Sequence, residues 1–352
     1  YYSPVTYFAA TLPLTSSVAT NGPNPYRGGV TTSADSSVST GVLGANVGED
    51  LYVPPFPGQL VPVGETELFV RTAGHKVERG DTESEVAVYI HGLGGSSTNW
   101  TELMELLSPD VYGIAMDLPG FGQSPPPHQG DYKLTAHADI VAHLIRDQVG
   151  NRPVHIFGNS MGGATAVQLA ARHPMLVKSM TLVSPALPEL MPRSSNIHMP
   201  LTAIPGVGER LMRRMMKRDV EWRVNMSMSI CYADMSRIDP RRMADQVAEA
   251  RERDKLAHTA DASLLTLRAL ISTYLDYSQG SPWKLARGIK VPVLLIYGRD
   301  DKLVNARAAF RATREFPNAR VMVVPDSGHV TQMEHPRLTA QAWRELVESV
   351  NR

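Results

Sequence analysis

Residues 154–174 read VHIFGNSMGGATAVQLAARHP. A mainly apolar run breaks at Gly158-Asn159-Ser160-Met161-Gly162 and becomes an Ala-rich segment at helical spacing. The pattern predicts a strand, a sharp turn and a helix, with Ser160 on the turn inside a G-x-S-x-G motif. Small neighbours are needed there because the backbone is strained and closely approached. Such a turn lifts the serine hydroxyl above the C-terminal edge of a sheet, where open α/β sheets place their ligands. The following helix aims its positive end, and the amide of Met161, at the same point. A serine that only caps a helix in a Gly-rich turn would carry the same local signature.

The surrounding chain repeats the alternation of strand and helix. LVPV and TELFVR suggest a hairpin from about residue 59, and VAVYIHG (86–92) a buried-type strand. A helix is predicted around 98–107, a strand at 112–117 and a helix around 135–148. After the opening stretch come SMTLVSPA (179–186), VPVLLIYG (291–298), a helix near 306–315, ARVMVVPD (319–326) and a last helix from about 336. Strands that are apolar throughout and alternate with helices indicate a mostly parallel, doubly wound α/β sheet covered on both faces. Residues 187–288 interrupt the rhythm with Pro-rich and helical pieces, so a helical lid inserted after the sixth strand is expected. The core would then be 59–186 with 289–352. Residues 1–58 form an N-terminal extension rich in Ser, Thr, Gly and Pro, with only Arg27 and Asp35 charged before residue 49.

Composition limits the partners. The 352 residues carry 35 basic and 35 acidic side chains, so no net charge draws the chain to nucleic acid. One cysteine, Cys231, permits no intrachain disulfide. No apolar stretch reaches bilayer length, and a soluble protein, cytoplasmic rather than exported, is the expectation. Neither a phosphate-cradling loop nor an H-E-x-x-H pair is present, and no metal or organic cofactor is implied.

A serine hydroxyl needs a base to take its proton and a third group to orient that base. YGRDDKLV puts Asp301 just past one strand, with Asp300 its competitor, and PDSGHVTQMEHP puts His329 just past the next. Strand ends on one edge of a parallel sheet lie together, so Ser160, Asp301 and His329 can converge. HGLGGSSTNW (91–100) ends a strand in a Gly-rich loop, and the amides of Leu93 and Met161 are the expected oxyanion donors. Gly92 and Asn159, beside them, are expected to border the substrate.

The set resembles the α/β-hydrolase fold family over roughly residues 60–350. The matching pieces are the HG loop, DLPGFGQS (117–124), the elbow GNSMGG, GRDD and SGH, with the triad in the chain order Ser, Asp, His that this fold uses. The resemblance implies a loop-shaping part for Asp117, Gly120 and Gly122. Relatives with a carboxylate nucleophile have Asp at the elbow, so Ser160 points away from haloalkane dehalogenases and epoxide hydrolases. The elbow, GRDD and GH…Q.EH are also similar to the meta-cleavage-product hydrolases. Those enzymes typically have a proline in the HG segment and Trp after the base, where this chain has Val330. Hydrolysis of a small or lipid-like carboxylic ester through an acyl-enzyme is therefore the expectation. The alternatives are carbon–carbon hydrolysis and a catalytically silent binding protein.

Nine of the sixteen methionines fall between Met191 and Met243. They either adapt to an apolar ligand or pack the inserted helices. The run RLMRRMMKR (210–218) reads either as an amphipathic helix for peripheral membrane contact or as a solvated face.

Overall fold

Val86–Ile90 (β3) is buried at every position, and its alternation sets the architecture. Val86, Val88 and Ile90 face one apolar cluster, whereas Ala87 and Tyr89 face another on the opposite side. A strand buried on both faces needs helices on both faces, which is why its sequence is apolar without a polar register.

The computed structural model describes residues 51–78, 81, 83–189, 198–276, 278 and 280–350. The expected extension over residues 1–50 lies outside the described residues. Residues 52–57, expected to belong to it, pack along the body: Phe56 lies against the cluster around Tyr89, its carbonyl accepts from Arg71, and the Tyr52 hydroxyl donates to Asp245.

Eight strands form one sheet in the order β1-β2-β4-β3-β5-β6-β7-β8. They are Gly58–Val63 (β1), Thr66–Ala73 (β2), β3, Tyr112–Met116 (β4), Val154–Asn159 (β5), Val177–Val183 (β6), Val293–Gly298 (β7) and Ala319–Val324 (β8). β1 and β2 form an antiparallel hairpin, β2 pairs antiparallel with β4, and every later pairing is parallel. The chain moves outward from β3 to β4 and then returns to β5 on the other side. β3 is thus the point at which the winding reverses, where such sheets open a crevice.

Leu134–Gln148 (α2) and Met161–Arg172 (α3) contribute Val141, Ile145, Ala164 and Val167 to the larger apolar cluster. Thr101–Leu107 (α1) and the last helix, Pro336–Val350, cover the other face through Leu103, Leu107 and Trp343. There Phe157 stacks on Tyr89 at 4.7 Å between ring centroids and meets Trp343 at 5.9 Å. Each such side chain adds roughly 1.5–3 kcal/mol by burial.

Between β6 and β7 the chain forms the helices His198–Ala203 (α4), Val207–Met216 (α5), Val220–Cys231 (α6), Pro240–Arg253 (α7), Thr259–Tyr274 (α8) and Pro282–Gly288 (α9). Val224, Val247 and Ala250 join α6 to α7, with Met228 and Met243 packed on them. α7 is fastened to the sheet domain by Arg242, buried against Glu102 with Nε–Oε1 at 2.9 Å and donating to the Val53 carbonyl at 2.6 Å. Burial raises the Glu102 carboxyl despite that guanidinium.

Candidate functional site

Three non-glycine residues among the described ones adopt positive φ, and all three follow a strand at the sheet's C-terminal edge: Ser160 after β5, Ser184 after β6 and Asp326 beyond β8. Strain of this kind costs on the order of 1–3 kcal/mol and persists only where the surroundings enforce it. At Ser160 (φ 53°, ψ −116°) they do. Its N–H donates to the Val183 carbonyl at 3.0 Å, and its own carbonyl accepts from Ala164 at 3.1 Å and Ala186 at 2.9 Å. Gly162 sits where a Cβ would lie 2.1 Å from the Ile90 carbonyl oxygen, so any side chain there would push α3 off β3.

Asp301 lies just beyond β7 and is almost fully buried (2% exposed). Its Oδ1 accepts from the amides of Leu303 at 2.7 Å and Val304 at 3.0 Å, which leaves Oδ2 to meet His329 Nδ1 at 2.9 Å. Burial would raise this carboxyl, but the imidazole and the two amides hold it below the usual carboxylate range. Asp300, one residue earlier, points to solvent and pairs with Arg299 at 3.7 Å. Because a carboxylate only accepts, His329 donates through Nδ1, and in the neutral ring Nε2 carries the lone pair.

His329 is fixed from two further directions. Its carbonyl accepts from Asn159 Nδ2 at 3.0 Å, the same amide that donates to the Val183 carbonyl at 3.1 Å. Its N–H donates to the Cys231 carbonyl at 2.6 Å. Gly328 makes that approach possible, since a Cβ there would lie 2.3 Å from the Cys231 oxygen. Glu334 completes the joint: Oε1 accepts from the Gly328 amide at 2.6 Å and Oε2 from the Ala233 amide at 2.8 Å. Lys302 Nζ donates to the Ser229 carbonyl at 2.6 Å. The end of α6 is therefore tied to both loops that carry Asp301 and His329. On sequence alone, Cys231 and Lys302 have no part in the site and Glu334 stands only within the GH…Q.EH pattern; Cys231 lies about a hundred residues before His329 and carries no local signal.

The HG loop reaches the serine from the β3 side. A Cβ on Gly92 would stand 3.3 Å from Ser160 Cβ and 3.1 Å from Asn159 Oδ1. Leu93 is partly buried against the main cluster, and Met161 is fully buried at the first turn of α3. His91, to which the sequence reading gave no part, accepts from the Leu118 amide through Nε2 at 2.9 Å and donates from Nδ1 to the Gly92 carbonyl at 2.7 Å. Burial lowers it to about 4, so it stays neutral and pins the HG loop to the next one. Asp117 organises that next loop, accepting from Ser97 at 2.7 Å and Gln123 at 2.8 Å, with burial raising it to about 6. A cavity of about 130 Å³ opens beside Gly94, between Phe121 and Gly122 below and Arg223, Arg253 and Thr259 of the inserted helices above.

Among the described residues no helix is long and apolar enough to cross a membrane. The arrangement is a serine on a strained turn with Gly92 of the HG loop close to its Cβ, while its neighbour Asn159 is bonded to the carbonyl of the buried, carboxylate-held His329.

Known proteins carry the same frame. The chain is 27% identical over 316 residues to the probable lysophospholipase BODYGUARD 3 of Arabidopsis thaliana, covering 79% of this chain but only 58% of that protein. It is 26% identical over 288 residues to the 2-hydroxy-6-oxononadienedioate/2-hydroxy-6-oxononatrienedioate hydrolase of Cupriavidus pinatubonensis, covering 77% and 92%. The crystal structure of a serine hydrolase from the polyaromatic-hydrocarbon-degrading bacterium Cycloclasticus zankles superposes with a TM-score of 0.62 at 20% identity, over 84% of this chain and 98% of that one. The family profile described as alpha/beta hydrolase fold matches residues 87–336. With that match, the sheet order and the strained Ser160 turn together, this chain belongs to the α/β-hydrolase fold family.

Proposed function

We propose that the protein is a serine hydrolase that cleaves carboxylic esters of small or lipid-like apolar substrates through an acyl-enzyme. The observation that carries this reading is the 2.9 Å bond from His329 Nδ1 to Asp301, in a loop whose His329 carbonyl is bonded to Asn159, the neighbour of a serine held at positive φ. His329 Nε2 takes the proton from the Ser160 hydroxyl as its oxygen attacks the carbonyl, and Asp301 stabilises the imidazolium that results. The amides of Leu93 and Met161 receive the oxyanion. Collapse of the tetrahedral intermediate forms the acyl-enzyme and expels the alcohol, to which His329 returns its proton. Water activated by the same imidazole then releases the acid.

Asn159 contributes by orientation, because its amide nitrogen is spent on two carbonyls. The helices between β6 and β7 act as a lid, meeting the sheet domain across the cavity beside Gly94.

Fluorophosphonate labelling, compared between the parent and Ser160→Ala, tests the nucleophile. No labelling of a folded parent would leave the silent binding protein as the reading. A panel of p-nitrophenyl esters of increasing chain length, run beside a vinylogous diketone, tests the bond cleaved. Faster turnover of the diketone would replace ester cleavage by carbon–carbon hydrolysis.

A further inference from the structure

We infer that the outer face of α4, α5 and the start of α6 is a docking surface for an anionic lipid bilayer. Thirteen large apolar side chains are markedly exposed among the described residues, and seven of them lie between residues 201 and 226. A solvated helix face does not concentrate apolar side chains in this way. On α5, Val207, Leu211 and Met215 recur every fourth residue and form one exposed ridge; Leu201 and Ile204 before it in the chain and Trp222 after it are exposed as well. Gly208, Met212 and Met216 turn inward instead. The two rows lie side by side on α5, the inner one packed and the outer one 40–41% exposed.

Cations flank the bare ridge. Arg210, Arg213, Arg214, Lys217 and Arg218 are all exposed. Most nearby acids are committed elsewhere: Glu209 to Arg268 at 2.8 Å, Asp219 to the cap of α6, Glu221 to Arg251, and Asp254 to Arg223; Asp261 shares a groove with Arg213 and Lys217, on the side of Met212 and Met216. Arg210, Arg213, Arg214 and Lys217 form no ion pair among the described residues, and Arg218 lies over the Trp222 ring at 5.2 Å. Because the whole chain carries no net charge, this is a local excess of positive charge and not an overall one.

A bare apolar ridge beside unpaired arginine and lysine, with an indole at its border, matches the boundary between acyl chains and anionic headgroups. The long cationic side chains can lie along the ridge and still reach lipid phosphates and carboxylates. An acidic protein groove would satisfy the charge, but nothing about the convex ridge selects one. The same α6 that begins at this face ends at Cys231, whose carbonyl holds the His329 amide. Docking would therefore hold the candidate site at a set distance from the bilayer, on the far end of a 12-residue helix.

Trp222 supplies a direct readout, since Trp100, Trp283 and Trp343 are all buried. The full chain is mixed with vesicles of phosphatidylcholine alone, or with one third phosphatidylglycerol, at low and high salt. The expected result is at least tenfold tighter binding to the anionic vesicles, weakening with salt, with a blue shift of tryptophan emission and quenching by brominated acyl chains. Arg210→Glu with Arg214→Glu, and separately Leu211→Ser with Met215→Ser, should each weaken binding about tenfold or more. Neither pair should alter turnover of a soluble ester. No vesicle binding by the parent, equal affinity for both vesicle types, or binding indifferent to both variant pairs would overturn the inference. Binding is read without turnover, so it stands or falls separately from the esterase reading.

Discussion

The backbone N–H of His329 donates to the carbonyl of Cys231 at 2.6 Å, so the inserted helices hold the loop that carries the candidate base. A lid attached only at its two chain connections could shift without moving the site. The inserted helices are joined to the site by this main-chain bond and by the side chains of Glu334 and Lys302.

Glu334 is the acid in that joint, accepting from Gly328 and Ala233 together. The Glu334→Gln variant keeps one acceptor oxygen and turns an N–H donor toward the other amide. Turnover of a soluble ester should fall about tenfold or more in kcat, with a smaller change in KM and the fold retained. Steady-state kinetics with circular dichroism checks this, and an unchanged kcat would show that the joint does not position His329.

Asp301 and Asp300 separate by substitution. Asp301→Asn removes the acceptor that fixes the His329 tautomer and should lower kcat by about 10⁴, the size of the loss when a triad acid is so changed. Asp300→Asn touches only an exposed pair with Arg299 and should stay within about twofold of the parent. A large loss from Asp300→Asn would move the acid to that residue.

Two buried histidines make the fold sensitive to mild acid. His91 and His137 are both lowered to about 4 by burial, from an ordinary value near 6.5. Below pH 6.5 the unfolded chain takes up protons that the folded one refuses until about pH 4, so stability falls across that window. Asp117, raised to about 6, and Glu102 and Glu334, also raised by burial, act in the opposite sense; His335, lowered by burial, acts with the two histidines, whose shifts from 6.5 to about 4 are the larger. The melting temperature should therefore drop between pH 6.5 and 4.5. His137→Phe, placed between the rings of Phe121 and Tyr132, should flatten the slope. A flat profile for the parent would contradict the assignment.

Arg242 is the buried fastening of α7. Arg242→Met leaves Glu102 with no opposing charge and should cost about 3–5 kcal/mol in chemical denaturation. Glu102→Gln, which keeps an acceptor oxygen for the guanidinium, should cost less. Equal losses would mean that packing of the arginine stem, and not the charge, dominates.

Gly162→Ala would bring a methyl group to 2.1 Å from the Ile90 carbonyl. The variant should lose stability by several kcal/mol, or fail to accumulate as soluble protein, because backbone must move on both sides. A melting temperature within a few degrees of the parent would show that α3 can slide.

The local chain carried most of the frame. Runs such as VAVYI, VHIFGN and VLLIYG are mainly apolar with no alternating polar register, a pattern that fits strands covered on both faces, and the glycines around Ser160 mark the close approach of helix to strand. Short-range periodicity encodes which segments become elements, since it depends only on neighbours along the chain. The predicted helix at 98–107 begins instead as a tight turn over Ser97–Trp100, where the Ser96 side chain caps the backbone.

What the tertiary structure decided are the relations between segments far apart in the chain. Asp300 and Asp301 are chemically alike, and only the turn at Leu303–Val304 chooses which one faces His329. The links from Cys231 to His329 and from Ala233 to Glu334 each span about a hundred residues, and the exposed row of α5 is defined by which side its neighbours cover. Neither leaves a trace in local sequence, because both arise when the parallel sheet brings loop ends to one edge and the inserted helices settle on them.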